Sequence, residues 1–226
     1  MNQKSLQRTP EPEFMDSPAQ VEAYASADFA ASNQQFVDAL VERIAPKREQ
    51  GRLIDLGCGP GDICIRLALA LPGWTMEGAD AGANMLATAR RSVDELGLGD
   101  RIRFLLARLP DADLPRHAYD CVVSNSLLHH LPDPGVLWQT IQDLAVPGAR
   151  VQVMDLNRPE SAGDAQNLVE QYAAGEPDVL RRDFANSLHA AWRVDEVNAQ
   201  LERAGLALAC EKVSDRHWMV SGRLSE

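Results

Sequence analysis

The chain has 226 residues, 45 % apolar and 24 % charged, with four cysteines and a formal net charge of −11. This is ordinary usage for a globular protein with room for one sizeable core. It disfavours a general nucleic-acid binder, which needs a basic face, and no apolar run has transmembrane length.

The four cysteines, Cys58, Cys64, Cys121 and Cys210, form no C-x-x-C pair and no Cys/His cluster, so reduced thiols and no metal site are expected. The polar start, Met1 to Pro12, lacks the apolar stretch of a signal peptide, and a cytoplasmic protein is the default expectation.

Residues 1–13 carry Pro10 and Pro12 and are expected to form a disordered tail. Residues 14–46 read as an N-terminal helical lid. Asp16-Ser17-Pro18 is a helix start, with a capping residue and a proline in the first turn. Val21, Tyr24, Ala25 and Phe29 follow at helical spacing, and Phe36, Val37, Leu40, Val41 and Ile44 make a second amphipathic helix stopped near Pro46. Two helices ahead of the first strand are expected to cover the sheet edge or a ligand mouth. Tyr24, Asp28 and Phe29 would then line the lid; the alternative is plain packing of a helix pair.

Residues 47–226 alternate strand and helix. Strands are expected at Arg52–Leu56, Thr75–Ala79, Arg101–Leu106, Tyr119–Ser124 and Arg150–Asp155. Helices are expected from about Asp62 to Leu71, Ala83 to Leu96, and Asp133 to Ala145. This rhythm implies an α/β fold, a mostly parallel sheet with helices on both faces. An insertion, 157–192, interrupts it with a helical stretch at Asp164–Ala173, then Gly175-Glu176-Pro177. A helix at Asp195–Ala204 and two strands, Leu206–Val213 and His217–Gly222, complete the chain. The short turn at Ser214-Asp215 makes the last two strands antiparallel.

The run Asp55-Leu56-Gly57-Cys58-Gly59-Pro60-Gly61 closes the first strand. Glycines in alternate positions make a tight turn on which a ligand can lie, and the following helix presents free N–H groups to it. The spacing is not the G-x-G-x-x-G of dinucleotide dehydrogenases. Asp80 ends the second strand, where a carboxylate can accept both hydroxyls of a ribose through charge-assisted bonds.

With Gly78-Ala79-Asp80, Asn84-Met85-Leu86, the stretch Asp120 to Leu131 containing Asn125-Ser126-Leu127-Leu128-His129-His130, and Leu144-Ala145-Val146-Pro147-Gly148 before the fifth strand, the chain resembles the class I S-adenosylmethionine-dependent methyltransferases. The resemblance implies a seven-stranded Rossmann-like sheet, mostly parallel with an antiparallel strand 7. It implies S-adenosylmethionine as cofactor. Asp55, Gly57, Cys58, Gly59 and Gly61 would hold its methionine end, Asp80 the ribose, Ala81 and Met85 the adenine, and Asn125 the region of the sulfonium. The family often has an aspartate after strand 3; here Ala107 and Arg108 stand near the ring instead.

Methyl transfer needs alignment more than acid–base help; a base is required only when the nucleophile carries a tightly held proton. His129 and His130 follow strand 4, with only one expected to face the pocket, either as orienting group or base, or else packing against the lid. Arg216 could bind an anionic acceptor bidentately, with His217 beside it; an ordinary charged hairpin is the alternative. Tyr24, Phe29, Tyr172 and Asn186, together with Phe184, His189 and Trp192, are the candidates for the acceptor wall.

A small-molecule acceptor is the leading expectation. A protein or nucleic-acid acceptor is disfavoured because no Asn/Asp-Pro-Pro-Tyr run follows strand 4. A non-catalytic cofactor-binding subunit and a nucleotide-dependent dehydrogenase are further alternatives. Metalloid methylation needs a set of thiols that this fold does not bring together. The acceptor atom and the oligomeric state are not readable.

Overall fold

Adjacent residues on the central strands point to opposite faces, and the chain supplies apolar groups to both. A computed structural model describes residues 5–11, 16–27, 29–44, 49–111 and 113–225. Seven strands form one sheet in the order β3-β2-β1-β4-β5-β7-β6. They are β1 (Gly51–Leu56), β2 (Trp74–Asp80), β3 (Ile102–Leu106), β4 (Tyr119–Asn125), β5 (Ala145–Leu156), β6 (Ala209–Lys212) and β7 (His217–Arg223). The first five are mutually parallel where they pair. β7 runs antiparallel to both β5 and β6.

Eight helices surround the sheet among the described residues: α1 (Pro18–Ser26), α2 (Ala30–Ile44), α3 (Asp62–Ala70), α4 (Ala83–Glu95), α5 (Gly135–Leu144), α6 (Ala162–Ala173), α7 (Asp178–Ala190) and α8 (Val194–Arg203). Ile54, Val122, Val151 and Val153 meet Trp138 and Ile141 of α5 and Val197 and Leu201 of α8 on one face. Leu53, Cys121, Val123 and Met154 meet α2, α3 and α4 on the other. The strand order reverses between β1 and β4, which opens a crevice at the carboxyl ends of the strands.

The helices ahead of the sheet differ from a simple lid. Phe36, Val37, Leu40 and Ile44 of α2 are fully buried in the core, so α2 is a structural layer of the sheet. α1, its link to α2 and the first turn of α2 reach the mouth. Ser17 caps α1, whereas Asp16 caps a different helix: its Oδ1 accepts from the N–H groups of Asn84 and Met85 at the start of α4, at 3.0 and 3.2 Å. Asp28 and the stop at Pro46 lie outside the described residues.

Residues 5–11, part of the expected disordered tail, form an extended strap. The Leu6 N–H donates to Glu160 (2.8 Å) and the Thr9 N–H to His189 (3.0 Å). The Arg8 guanidinium donates to Ala190 and His129 and stacks on Trp192, 3.9 Å from the ring centre. Arg158, only 4 % exposed, reaches the Leu6 carbonyl while paired with Glu196. These partners lie over a hundred positions away, so local sequence carries no sign of the order. The rest of the expected tail, 1–4 and 12–13, lies outside the described residues.

The insertion 157–192 holds two helices, α6 and α7, packed on each other through Val169, Ala173, Phe184 and Leu188. β6 is shorter than expected and β5 longer.

Candidate active site

The glycine turn separates into residues that face a ligand space and one that does not. Gly57, Gly59 and Gly61 all have positive φ (74°, 51° and 85°), a conformation that side chains resist. The N–H groups of Gly57 and Cys58 donate to the Ala79 carbonyl, fixing the turn on β2. A Cβ on Gly59 would meet nothing within 4 Å, whereas one on Gly61 would lie 2.9 Å from Phe104 and 3.1 Å from Ala89. Gly61 does not border the cavity; it allows close packing instead, a correction to its expected place.

The cavity over this turn has a volume of 490 Å³. Asp55, Gly57, Cys58, Gly59, Asp80, Ala81, Met85, Ala107, Arg108 and Asn125 all border it. Asp80 takes the N–H of Gly59 on one oxygen (2.8 Å) and that of Gly82 on the other (2.7 Å). Burial raises its carboxyl pKa, and those two N–H groups oppose the shift. Each oxygen keeps a second acceptor position.

Asp55 is 1 % exposed. Burial pushes its carboxyl up to about 7, opposed by the Cys64 thiol and assisted by Asp80. Oδ2 accepts from Cys64 at 3.5 Å, but Oδ1 is buried with no partner, as is Oδ1 of Asn125. Burial also raises the Cys58 and Cys64 thiols, so neither is an activated nucleophile. Two orphaned acceptors in one cavity are costly unless a ligand supplies donors. An open glycine cradle, a carboxylate at a strand end and these orphans fit S-adenosylmethionine, which carries an ammonium group and two ribose hydroxyls.

A second cavity of 180 Å³ adjoins the first. Tyr24, Phe29, Asn33, Asn125, Ser126 and His130 border both. Its other walls come from α6, α7 and the β6–β7 turn, including Tyr172, Leu180, Phe184, Arg216 and His217. Burial pushes the Tyr24 phenol up to about 12, with Asp80 assisting, so it remains a hydrogen-bond donor.

Both imidazoles after β4 border the second cavity, where only one was expected. They lie on a single 3-10 turn, Leu128–His130, with ring centres 4.0 Å apart. His129 is buried, and its Nδ1 lies 2.5 Å from Oδ1 of Asp155. Oδ2 of Asp155 accepts the His129 backbone N–H at 3.1 Å. Burial works against a charged His129, but the Asp155 carboxylate outweighs it and the net direction is upward. Asp155 is lowered: burial opposes this, and His129 with two N–H groups overcomes it. The Nδ1 of His130 lies 2.6 Å from Oε2 of Glu11.

The other acceptor-wall expectations divide. Tyr24, Phe29, Tyr172, Phe184, Arg216 and His217 border the second cavity. Asn186 does not: it is exposed on the outer side of α7. His189 faces the Ala185 carbonyl at 2.7 Å, and Trp192 lies beneath Arg8. Arg216 is already engaged, 3.3 Å from Asp215 and stacked 3.4 Å above the Tyr172 ring. A bare anion site is therefore replaced by a neutralised rim. Burial, with Arg216 adding to it, pushes His217 down to about 4, so it is uncharged at neutral pH.

The sequence reading did not single out Asn33, which borders both cavities, nor Asp155 and Glu11, which lie against His129 and His130. Asn33 donates to Asp62 (2.8 Å) and lies 3.4 Å from Nδ2 of Asn125, fastening α2 to the crevice. Asp155 had a signal: it is a third acid near the carboxyl end of a buried strand, like Asp55 and Asp80. Glu11 had none.

A family model described as a methyltransferase domain matches residues 29–211. The chain is 29 % identical to an uncharacterized methyltransferase of Mycobacterium tuberculosis over 176 residues, 76 % of this chain and 86 % of that one. It is 29 % identical to the 27-O-demethylrifamycin SV methyltransferase of Amycolatopsis mediterranei, across 79 % of this chain and 63 % of that protein. Its fold matches a SAM-dependent methyltransferase of Aquifex aeolicus with a TM-score of 0.70 and 18 % identity, covering 94 % of this chain and all of that one.

Proposed function

Because the chain belongs to the methyltransferase domain family and has the class I S-adenosylmethionine-dependent fold, we propose that it methylates a hydroxyl oxygen of a small, largely apolar acceptor. The observation that carries this reading is the place of His130, on the wall common to both cavities. One cavity has the acceptors and the glycine cradle for the methyl donor. The other is small and walled by Tyr24, Phe29, Leu180 and Phe184, which suits a ring or a branched apolar body.

S-adenosylmethionine, when bound, supplies an electrophilic methyl group on a sulfonium. Asp55 and Asn125 would accept from its methionine end, and Asp80 from the ribose. Met85, Ala107 and the backbone at Arg108 would flank the adenine. The chain's main contribution is alignment: Phe29 and Phe184 hold the acceptor, and α1 with Tyr24 excludes water above it. Good alignment is worth up to about 7–11 kcal/mol.

A hydroxyl must lose its proton during transfer, and the two imidazoles divide in their fitness to take it. Asp155 occupies both Nδ1 and the backbone N–H of His129 and raises the pKa of its buried ring. His130, on the wall common to both cavities, is the imidazole placed to take it and is assigned as the base. A general base contributes about 10²–10⁴ in rate. The Amycolatopsis relative is named for methylation at an oxygen, in agreement with this reading.

The test is methyl transfer from labelled S-adenosylmethionine to matched sets of phenols, aliphatic alcohols, amines and thiols. We expect oxygen methylation, and a loss of turnover of about 10²-fold or more in His130→Ala with donor affinity retained. Turnover of amines alone, or full activity in His130→Ala, would overturn the proposal.

A further inference from the structure

We propose that His217 is a specificity-determining residue whose Nε2–H donates to a second oxygen of the acceptor, so that the substrate is a neutral, hydroxylated ring bearing a carbonyl or ether oxygen. The inference rests on the second cavity as the acceptor site, and it adds a substrate class to that reading.

The turn between β6 and β7 fixes the His217 ring. Ser214 Oγ accepts the backbone N–H groups of Arg216 (3.3 Å) and His217 (3.0 Å). The His217 carbonyl in turn accepts the N–H groups of Val213 and Ser214. A serine hydroxyl has two lone pairs and one proton. Both lone pairs are occupied, so the remaining contact of Ser214 Oγ, 3.1 Å to Nδ1 of His217, is made by its proton. Nδ1 is therefore an acceptor. Burial and the adjacent Arg216 hold the ring uncharged at neutral pH, with Asp155 and Asp215 too weak to reverse them. A neutral imidazole whose Nδ1 accepts carries its hydrogen on Nε2.

That N–H is open to a ligand. The ring is buried in the protein and borders the second cavity. Among the described residues no acceptor pairs with Nε2, and it is not one of the sealed, unpaired atoms of the site. In a cavity walled by Phe29, Leu180 and Phe184, an unpaired donor is unfavourable until a ligand oxygen accepts from it.

Its placement sets what can bind. His217 opens β7 opposite Leu156, one residue beyond the Asp155 that engages His129. β5 lies between β4 and β7, so two strand spacings, about 9–10 Å, separate β7 from the strand that leads into the His130 turn. A ring in that gap meets His130 on one side and His217 on the other. The second oxygen is not a carboxylate. Arg216 is already engaged with Asp215 and Tyr172, and the acids Glu176 and Asp183 border the same cavity. An amine protonated at neutral pH offers the Nε2–H no lone pair.

The experiment uses the full chain and two matched pairs: 4-hydroxyacetophenone against 4-ethylphenol, and 3-hydroxyacetophenone against 3-ethylphenol. Each pair differs by a carbonyl in place of a methylene. Each compound is titrated calorimetrically in the presence of S-adenosylhomocysteine and assayed for methyl transfer from labelled S-adenosylmethionine. At least one ketone should bind about 3–10-fold more tightly than its ethyl partner, with the preference carried by KM rather than kcat. His217→Phe should erase that preference, and His217→Gln should keep part of it through its amide N–H. Long-range nitrogen-15 correlation at pH 7 should show His217, identified by its loss in His217→Gln, in the Nε2–H form. Its Nε2 resonance should move on adding the ketone and not the ethyl compound. Equal affinity within both pairs, binding of neither ketone, a preference that survives in His217→Phe, or an Nδ1–H signal overturns the proposal. Should His217→Phe not fold, an Nε2 resonance unmoved by the ketone overturns it in the wild type. The expected binding pattern without oxygen methylation would overturn the proposed reaction alone. Oxygen methylation with no ketone preference would overturn only the role of His217.

Discussion

Nδ1 of His129 lies 2.5 Å from Oδ1 of Asp155, and both side chains are all but sealed from water. A buried pair of this kind is costly to break from one side, because the remaining charge keeps its desolvation cost. Asp155→Asn should lower stability by about 3–5 kcal/mol, measured by urea unfolding. The raised imidazole contributes fully below about pH 6.5 and loses its contribution as pH rises through its folded value. The lowered carboxyl contributes fully above about pH 4 and loses it as pH falls through its own. The gap between wild type and variant should therefore be widest from about pH 4 to 6.5.

The role proposed for Asp55 is in donor binding rather than in catalysis. Its carboxyl, raised to about 7 in the ligand-free protein, must ionise to hold a cationic ammonium group. S-adenosylmethionine affinity should then rise with pH, by about tenfold per unit well below 7 and levelling above it. Calorimetry in two buffers of different ionisation enthalpy should show proton release near neutrality. Asp55→Asn should bind weakly and lose this dependence.

Two glycines two positions apart should fail in different ways. Gly59→Ala puts a methyl group into the donor cavity, where it meets no protein atom; donor affinity should drop, and stability only by the roughly 1–2 kcal/mol of a positive-φ alanine. Gly61→Ala drives a methyl group into Phe104 and Ala89 and should add an overpacking cost of about 1–3 kcal/mol. Thermal unfolding and donor titration on both variants separate the two outcomes.

His217 sets an acid limit. Its folded value near 4 lies below an unfolded value of about 6.5. The unfolded chain binds the extra proton, so stability from this group is complete above about pH 6.5 and falls as pH drops toward 4. The loss over that window is roughly 3 kcal/mol. Urea midpoints at pH 7 and 4.5 should show His217→Gln less sensitive to acid than wild type.

The sheet and the donor cavity were legible because their signals are local. Strand length, the Gly57–Gly61 run and an acid at the end of β2 all sit within short windows, and the strand–helix rhythm implies the crevice. The distinction between Gly59 and Gly61 was not legible, since identical residues in one turn differ only by what lies opposite them. α7 was missed although Leu180, Phe184 and Leu188 have helical spacing, because its remaining positions are mostly polar. Glu11 and the strap escaped for a deeper reason. Their order comes from bonds to Glu160, Ser187, His189 and Ala190, and no periodicity encodes such partners.

The second cavity has two walls of unequal freedom. The wall at Asn33 belongs to α2, whose Phe36, Val37, Leu40 and Ile44 are locked in the sheet core. The wall at Tyr172, Leu180 and Phe184 belongs to α6 and α7, which close a small cluster of their own. Substitution on the first would loosen the whole layer, whereas the second can be reshaped with only local repacking. Divergence in substrate range, in nature or in a directed library, should therefore accumulate on α6 and α7 while α2 stays fixed.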